Sequence, residues 1–151
     1  MTQRSAGLLV FRETNGFPEV FLVHPGGPFY AKKDLGSWSI PKGLFEVDED
    51  PLTAARREFE EETGQKIAGD FIELTPITQK GGKLVYCWAV EAEPDADRIE
   101  SNTFTLEWPP RSGKMQEFPE VDRAGWFDIE TAKKKILEAQ ADLIEQLLIK
   151  F

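Results

Sequence analysis

The sequence predicts a sandwich of the α/β or α+β class, in which a β-sheet packs against helices. Three observations support this fold class: short apolar runs open the chain, one strongly marked helix follows, and further strand-like runs precede a helical C-terminus. At 151 residues the chain has the size of one ordinary domain. We therefore expect residues 1–151 to form a single domain.

The N-terminal part of the chain predicts a pair of adjacent strands. Residues 6–11 and 20–24 are short apolar runs, which is typical of strands. Asn15 and Gly16 lie between them and form a strong turn signal. Residues 25–36 are rich in glycine, proline and polar side chains, so we expect a loop there.

The clearest element is a helix predicted from Pro51 to about Thr63. Asp50 offers a side-chain oxygen to the free amides of the first turn, and proline is favoured at the first helical position. Gly64 is suited to the left-handed residue that ends a helix. At about 100° per residue, an apolar stripe lies beside an acidic stripe on this helix. The apolar positions are Leu52, Ala55 and Phe59, and the acidic ones are Glu58, Glu61 and Glu62.

Beyond this helix the sequence predicts more strands and a helical C-terminus. The strands are expected at 70–78, 83–93 and 103–108. Gly81 and Gly82 predict the turn between the first two. Residues 109–125 are expected to form a long loop. The segment 126–151 predicts a short strand, a helix cap at Asp128 and one or two amphipathic helices.

The composition restricts the classes of partner. The formal net charge is −9 and the isoelectric point is near 4.7, opposite to the basic surface that duplex nucleic acid or an anionic membrane attracts. No apolar run approaches the roughly 18 residues of a membrane span. The N-terminal stretch "MTQRSAGLLVFRE" does not match a secretory signal. We expect a cytoplasmic protein that binds neither duplex nucleic acid nor membrane.

The scarcity of cysteine and histidine limits the kinds of metal site. Cys87 is the only cysteine and His24 the only histidine, which excludes an internal disulfide and a zinc site built from several of these residues. A tightly bound metal must therefore be held mainly by oxygen atoms. Oxygen ligands favour hard cations such as Mg²⁺ or Mn²⁺.

The segment from Gly43 to Gln65 carries the most specific pattern in the chain. It reads as glycine, five residues, glutamate, seven residues and then "REFEEETG". A glutamate-rich helical run alone is typical of a solvated face, but seven fixed positions match by chance with odds on the order of one in 10⁸ or less. The pattern resembles the signature of the Nudix hydrolases. It departs from that signature at Gln65, usually an apolar position, and we expect the departure to affect local packing more than chemistry.

The resemblance implies a fold and a reaction for the whole chain. The predicted order of elements fits the Nudix α/β/α sandwich with a central mixed sheet. The resemblance also implies Mg²⁺-dependent hydrolysis of a small nucleotide substrate, a nucleoside diphosphate linked to another moiety, with Mn²⁺ as a substitute. Such hydrolysis requires stabilised charge on phosphate oxygens and a nucleophilic water, and divalent cations supply both.

Three glutamates of the motif are the candidate metal ligands. Glu58, Glu61 and Glu62 are spaced i, i+3 and i+4, so they share one face of the helix. Their carboxylates suit Mg²⁺. The resemblance implies that these three hold the metal, that one of them doubles as the general base, and that the backbone carbonyl of Gly43 is a further ligand.

Other acidic and basic residues receive supporting roles. The resemblance implies that Arg57 and Glu49 bond across the motif and orient the metal-binding glutamates. Glu60 stands at a variable position and is expected to be solvated. Many Nudix enzymes add a glutamate from a distant loop as a metal ligand or base. Glu117 and Glu120 are the candidates here, and we expect one of the two to be functional.

Two residues outside the motif are candidate substrate contacts. The stretch "WSIPKG" resembles the entry to the motif in diadenosine tetraphosphate hydrolases and related nucleotide pyrophosphatases, where the lysine contacts phosphate. Lys42 is that lysine here. A strand tyrosine touches the phosphate chain in the same subgroup, which makes Tyr86 a candidate, the alternative being a partly buried sheet residue. From loop length and composition alone, we hypothesise that Tyr30, Lys32 and Lys33 cover the substrate.

The sequence leaves several alternatives open. Besides dinucleoside polyphosphates, the candidate substrates are nucleoside triphosphates, nucleotide sugars, diphosphoinositol phosphates and the 5′ triphosphate end of RNA. A Nudix-fold module that binds a nucleotide without cleaving it is a second class, although such proteins usually lose motif carboxylates. A calcium-binding loop is excluded because the spacing Asp-x-Asp-x-Asp-Gly is absent. Monomer and homodimer are both compatible with the sequence.

Overall fold

In the computed structural model, which describes residues 3–150, the chain opens with a long antiparallel hairpin. Strands β1 (Arg4–Thr14) and β2 (Phe17–Pro25) form its arms. Asn15 and Gly16 take φ values of 55° and 82° at the turn, a left-handed backbone that asparagine and glycine tolerate. The predicted strand pair is confirmed, and both strands extend beyond their predicted ends.

The hairpin lies within a mixed sheet of seven strands, counted over the described residues. In chain order the remaining strands are β3 (Lys42–Leu44), β4 (Ile72–Glu73), β5 (Ile77–Gln79), β6 (Lys83–Glu91), β7 (Thr103–Glu107), β8 (Met115–Pro119) and β9 (Val121–Asp128). The main sheet runs β4-β6-β1-β2-β9, with β3 also on β1 and β5 also on β6. Strands β1 and β6 are parallel and the other pairs are antiparallel. Strands β7 and β8 form a separate hairpin.

Helix α1 (Pro51–Thr63) begins and ends where the sequence predicts. The Asp50 carboxylate accepts a hydrogen bond from the Thr53 N–H at 3.0 Å, which caps the first turn. Gly64 has a φ of 76° and donates its N–H to the Glu60 carbonyl, which closes the last turn. Because both ends are fixed by local bonds, the acidic and apolar stripes keep the predicted register.

Helices cover both faces of the central sheet and complete the predicted α/β/α sandwich. Alternate residues of β1 belong to two separate cores, one on each face. One core joins Leu8 and its neighbours to Phe59 of α1. The other joins Leu9 and its neighbours to α2 (Ile129–Lys135) and α3 (Ala141–Ile149). Among the described residues, no helix combines the length and apolarity needed to cross a membrane.

The structure corrects two predictions. Residues 109–125 do not form a long loop, because β8 and the start of β9 lie there. The β7–β8 hairpin exposes most of its side chains, so its sequence lacks the apolar alternation that marks a half-buried strand. Phe104 of β7 lies opposite Phe118 of β8, with ring centroids 6.0 Å apart. The single strand predicted at 70–78 is also wrong. It divides into β4 and β5 around Pro76, which has no N–H for a ladder.

Candidate active site

The guanidinium group of Arg57 forms hydrogen bonds with three glutamates on or near α1. Its Nε and Nη2 atoms donate to both carboxylate oxygens of Glu49, each at 2.9 Å. Its Nη1 atom donates to Glu58 at 2.8 Å and to Glu61 at 2.9 Å. The bidentate bond raises the pKa of Arg57 and lowers the pKa of Glu49. The predicted Arg57–Glu49 contact is therefore present, and the same arginine holds two candidate metal ligands.

Glu58 occupies space that exists only because Gly43 has no side chain. Strand β3 places Gly43 on β1, opposite Ala6. A Cβ atom on Gly43 would lie 2.0 Å from Glu58 Oε2 and 2.2 Å from its carboxyl carbon. Burial raises the pKa of Glu58, although its hydrogen bond with Arg57 acts in the opposite direction. The glycine of the motif is thus required for close approach of this carboxylate to the backbone.

Glu62 is a candidate ligand without a cationic side chain at ion-pair distance among the described residues. Its Oε1 atom accepts a bond from the backbone N–H of Lys42 at 3.3 Å. Burial raises the pKa of Glu62 to about 8, the negative charge of Glu58 acts in the same direction, and Lys42 opposes it. Burial also lowers the pKa of the Lys42 ammonium. A half-buried carboxylate with a raised pKa and no ion-pair partner is a candidate position for a bound cation.

Glu62 and Lys42 line a cleft of about 210 Å³. Glu120 contributes a third charged group. Tyr30, Ser37 and Ser39 contribute uncharged polar groups to its walls. The cleft therefore combines a cation and two carboxylates with hydroxyl groups, a lining suited to phosphate and a divalent cation together. The structure brings Tyr30 to this cleft but neither Lys32 nor Lys33, and the covering of substrate by the glycine-rich loop stays a hypothesis.

Glu120 rather than Glu117 reaches the cleft. Burial raises the pKa of Glu120, and the charge of Glu61 adds to the shift. The charge of Glu120 in turn contributes to the raised pKa of Glu62. Glu117 is exposed on β8, opposite Thr105, and does not line the cleft. The geometry favours Glu120 as the glutamate that comes from outside the motif.

Tyr86 does not line the cleft. It lies on β6 and pairs with Ala6 of β1. Ala6 also pairs with Gly43 of β3, on the other side of β1. Its half-buried ring packs edge-on against Phe45, with centroids 5.8 Å apart. The structure thus places Tyr86 two strands from Gly43 as a partly buried sheet residue, while its contact with substrate stays a prediction.

The anchor of the glycine-rich loop was missed by sequence reasoning. His24 is fully buried, with Nδ1 2.8 Å from Asp122 Oδ1 and Nε2 2.7 Å from the Lys33 carbonyl oxygen. Each nitrogen of the His24 ring thus faces an oxygen atom. His24 thereby ties the loop at 25–36 to β9. A lone histidine at the end of an apolar strand indicates burial, but it does not identify its partners.

Gln65 shows how the chain accommodates its departure from the motif. Its side-chain amide donates to the Asp95 carbonyl and accepts from the Asp95 N–H, both at 2.8 Å. A reciprocal polar contact takes the place of apolar packing at the end of the motif. The departure therefore lies in packing, as expected, and leaves the motif carboxylates in place.

Replacing Arg57 by lysine is expected to lower kcat by about 10- to 100-fold. A single ammonium lacks the planar fork that holds Glu49 by two bonds while reaching Glu58 and Glu61. Steady-state kinetics with thermal unfolding of both proteins measures the effect. The matched control is Arg56→Lys, since Arg56 is exposed and lies over the Phe71 ring. Equal losses in the two variants would contradict the positioning role.

The donor set of the cluster suits a divalent cation in its chemistry. Glu58, Glu61, Glu62 and Glu120 provide carboxylate oxygens, the ligands that Mg²⁺ prefers. Within residues 3–150, no group of three or more His, Cys, Asp or Glu side chains is already arranged to hold a metal ion. Arg57 forms a hydrogen bond with one carboxylate oxygen of Glu58 and one of Glu61. The carboxylate ligands are thus of the kind that a hard cation prefers, but in this structure two of them are hydrogen-bonded to Arg57.

Comparison with known sequences agrees with this geometry. The sequence model of the NUDIX domain matches residues 1–147. A MutT-like protein of Streptomyces ambofaciens is 30% identical over 79 residues, which cover 51% of this chain and 50% of that protein. An RNA pyrophosphohydrolase of Bartonella henselae is 24% identical over 99% of this chain and 89% of its own length. The match thus spans half of the first relative and most of the second.

Comparison with solved structures supports the architecture. The crystal structure of a C. elegans Ap4A hydrolase binary complex superposes with a TM-score of 0.67 at 22% sequence identity. The superposition covers 99% of this chain and 100% of that one. At this identity the likeness shows a shared α/β/α fold across the chain.

Proposed function

This chain belongs to the Nudix family, and on that premise we propose that it hydrolyses a phosphoanhydride bond in a nucleoside diphosphate derivative. The observation that carries the proposal is the cleft that the half-buried Glu62 carboxylate and the Lys42 ammonium both line. A carboxylate without an ion-pair partner suits a divalent cation, and a half-buried ammonium suits a phosphate oxygen. The full set of motif carboxylates supports catalysis.

We assign the chain's own residues distinct roles in the reaction. Lys42 binds a phosphate oxygen, and its burial strengthens that contact because water screens it less. Glu120 accepts the proton of the attacking water, since its raised pKa brings it closer to neutral pH. Arg57 and Glu49 keep the carboxylates of α1 oriented.

The proposed cofactor is Mg²⁺, with Mn²⁺ as a substitute. Glu58, Glu61 and Glu62 would hold it, together with the backbone carbonyl of Gly43. A divalent cation bound there supplies charge neutralisation for the phosphate oxygens and activation of water. Arg57 bonds one oxygen of Glu58 and one oxygen of Glu61, so the second oxygen of each carboxylate would be available to the cation.

Dinucleoside polyphosphates are the proposed substrate class. The stretch "WSIPKG" resembles that of diadenosine tetraphosphate hydrolases, in which the lysine contacts phosphate, and the corresponding Lys42 lines the cleft. Nucleoside triphosphates and 5′-triphosphorylated RNA are the second candidates, since the relatives are named MutT-like protein and RNA pyrophosphohydrolase. A substrate panel with Mg²⁺ or Mn²⁺ in ¹⁸O-labelled water tests the proposal. Labelled nucleotide product identifies both the preferred substrate and the phosphorus attacked.

A nucleotide-binding module without hydrolytic activity is the rival function. It predicts measurable binding of a nucleotide without release of phosphate or nucleoside monophosphate across the whole panel. The retained glutamates count against it, because a binding module has no need of three acidic ligands on one helix. Absence of product from every substrate, with binding intact, would replace the hydrolase proposal.

The choice between Glu120 and Glu117 gives a sharp prediction. Glu120→Gln is expected to lower kcat by about 100-fold, because Glu120 lines the cleft and its charge acts together with those of Glu61 and Glu62. Glu117→Gln is the matched control, since that side chain is exposed on β8 outside the cleft. The two variants differ from wild type by the same chemical change. A larger loss from Glu117→Gln would reverse the assignment.

We also propose that residues 1–151 form one Nudix domain, because both cores are built on the same central sheet. Met1, Thr2 and Phe151 lie outside the described residues. The cytoplasmic location stays a prediction, as does the choice between monomer and homodimer. Light scattering of the purified chain across a concentration series decides the oligomeric state.

A further inference from the structure

A second concavity lies behind the wall of the candidate active site. It encloses about 500 Å³ and is lined by two segments, residues 31–34 and 123–125, together with Trp38, Phe127 and Lys135. We call it the basic groove. Side chains alternate along the wall, so Ser37 and Ser39 line the cleft whereas Trp38 lines the basic groove.

The basic groove is locally positive on a chain whose net charge is −9. Four cationic side chains line it, namely Lys32, Lys33, Arg123 and Lys135, against the single carboxylate of Asp34. Asp34 is bonded to Lys135 at 2.7 and 2.8 Å. Within the described residues, the guanidinium of Arg123 has no carboxylate at ion-pair distance and lies 5.3 Å above the Trp38 ring. The groove therefore contains positive charge that the protein does not neutralise.

The basic groove and the cleft meet at one side-chain pair. Lys33 lines the groove, and its Nζ atom lies 5.3 Å from the centroid of the Tyr30 ring. Tyr30 lines the cleft. His24 anchors the backbone at this junction through its contact with the Lys33 carbonyl. The two concavities are therefore adjacent at the contact of Lys33 with Tyr30.

We propose that the basic groove binds the distal phosphate-bearing part of the substrate, beyond the bond that is hydrolysed. This inference rests on the proposed function and narrows its substrate class to nucleotides that extend past a simple triphosphate. The second nucleotide of a dinucleoside polyphosphate and the first internal phosphodiesters of a 5′-triphosphorylated oligonucleotide share the required chemistry. Both carry negative charge that exposed lysine and arginine side chains attract.

The test compares long and short substrates on groove variants. Arg123→Gln and, separately, Lys32→Ala are assayed with diadenosine tetraphosphate, with a 5′-triphosphorylated trinucleotide RNA and with ATP. Each variant is expected to raise the ratio of KM for a long substrate to KM for ATP by about fivefold, and the pair by more. Raising the salt concentration should reduce the difference, because the contacts are exposed. The long substrate whose KM rises in the variants shows whether the groove binds the second nucleotide of a dinucleoside polyphosphate or the phosphodiesters of RNA.

The matched controls are Arg98→Gln and Lys80→Ala, which remove exposed cations that line neither concavity. The same ratio in the groove variants and the controls would overturn the proposal, as would equal changes in KM for ATP and for the long substrates. If the wild type hydrolyses none of the three, the proposed substrate classes fail independently of the groove. Equilibrium binding of diadenosine tetraphosphate to wild type and Arg123→Gln then tests the groove directly, and equal affinities overturn it.

Discussion

Glu62→Gln is expected to lower kcat by about three orders of magnitude while the protein stays folded. The amide keeps the size of the side chain but loses the negative charge that a divalent cation requires. The other carboxylates cannot compensate, because Glu58 and Glu61 already serve as proposed ligands and Glu120 is the proposed base. Steady-state turnover of the preferred substrate, with circular dichroism as the check on folding, measures the effect. Glu61→Gln is expected to act in the same direction.

The same substitution should stabilise the protein when divalent cations are removed by a chelator. The folded-state pKa of Glu62 is raised from 4.5 to about 8, so the folded protein binds this proton more tightly than the unfolded chain. The associated stability is fully present below the unfolded pKa and is lost as pH rises towards about 8. The amide of the Glu62→Gln variant carries no charge and escapes that loss. Urea unfolding of both proteins should diverge between these pH values, by an amount on the order of a few kcal/mol at the upper end.

Glu60→Gln is the matched control for both measurements. Glu60 is an exposed glutamate of the same helix, at the variable position of the motif. Its replacement should leave turnover and the pH dependence of unfolding close to wild type. If Glu62→Gln behaved like this control in turnover on the true substrate, its assignment as a metal ligand would be lost.

Gly43→Ala is expected to lower kcat by about 100-fold at little cost in stability. The new methyl group would lie 2.0 Å from Glu58 Oε2 and 2.6 Å from Oε1, so the carboxylate must leave its position. Moving a flexible carboxylate costs less than moving backbone, and the fold therefore survives. The Glu58 bond to Arg57 is broken at the same time. Kinetics, together with a melting curve, separates loss of activity from loss of fold.

A double-mutant cycle determines whether this effect passes through Glu58. Glu58→Ala removes the carboxylate that meets the added methyl group, so adding Gly43→Ala to it should lower kcat only slightly further. Strict additivity of the two losses would contradict the steric mechanism. It would indicate that the alanine acts through the backbone of β3 instead.

The sequence was sufficient for α1 because local interactions determine both of its ends. Asp50 caps the helix through a bond to a residue three positions away, and Gly64 ends it through its own backbone conformation. The spacing of the motif then places the glutamates on one face by helical geometry alone. The Arg57–Glu49 pair was also predicted, although only the family resemblance suggested it.

Segment 109–125 could not be predicted because its strands are stabilised by distant partners. Most side chains of β8 are exposed, so no apolar alternation marks it. Strand β9 pairs with β2, almost a hundred residues earlier, and His24 of β2 meets Asp122 of β9 across that pair. Register across such a separation depends on the packed sheet and is not encoded in the local sequence.

The sequence by itself determined the helix, the acidic face, the central hairpin and the family, because these depend on residue types at short and fixed spacing. The tertiary structure alone decided that Glu120 reaches the cleft and Glu117 does not, that Tyr86 lies apart from it, and that cations gather in a groove on an acidic chain. These features join residues far apart in sequence. Their positions follow from how the strands pack, which no local pattern records.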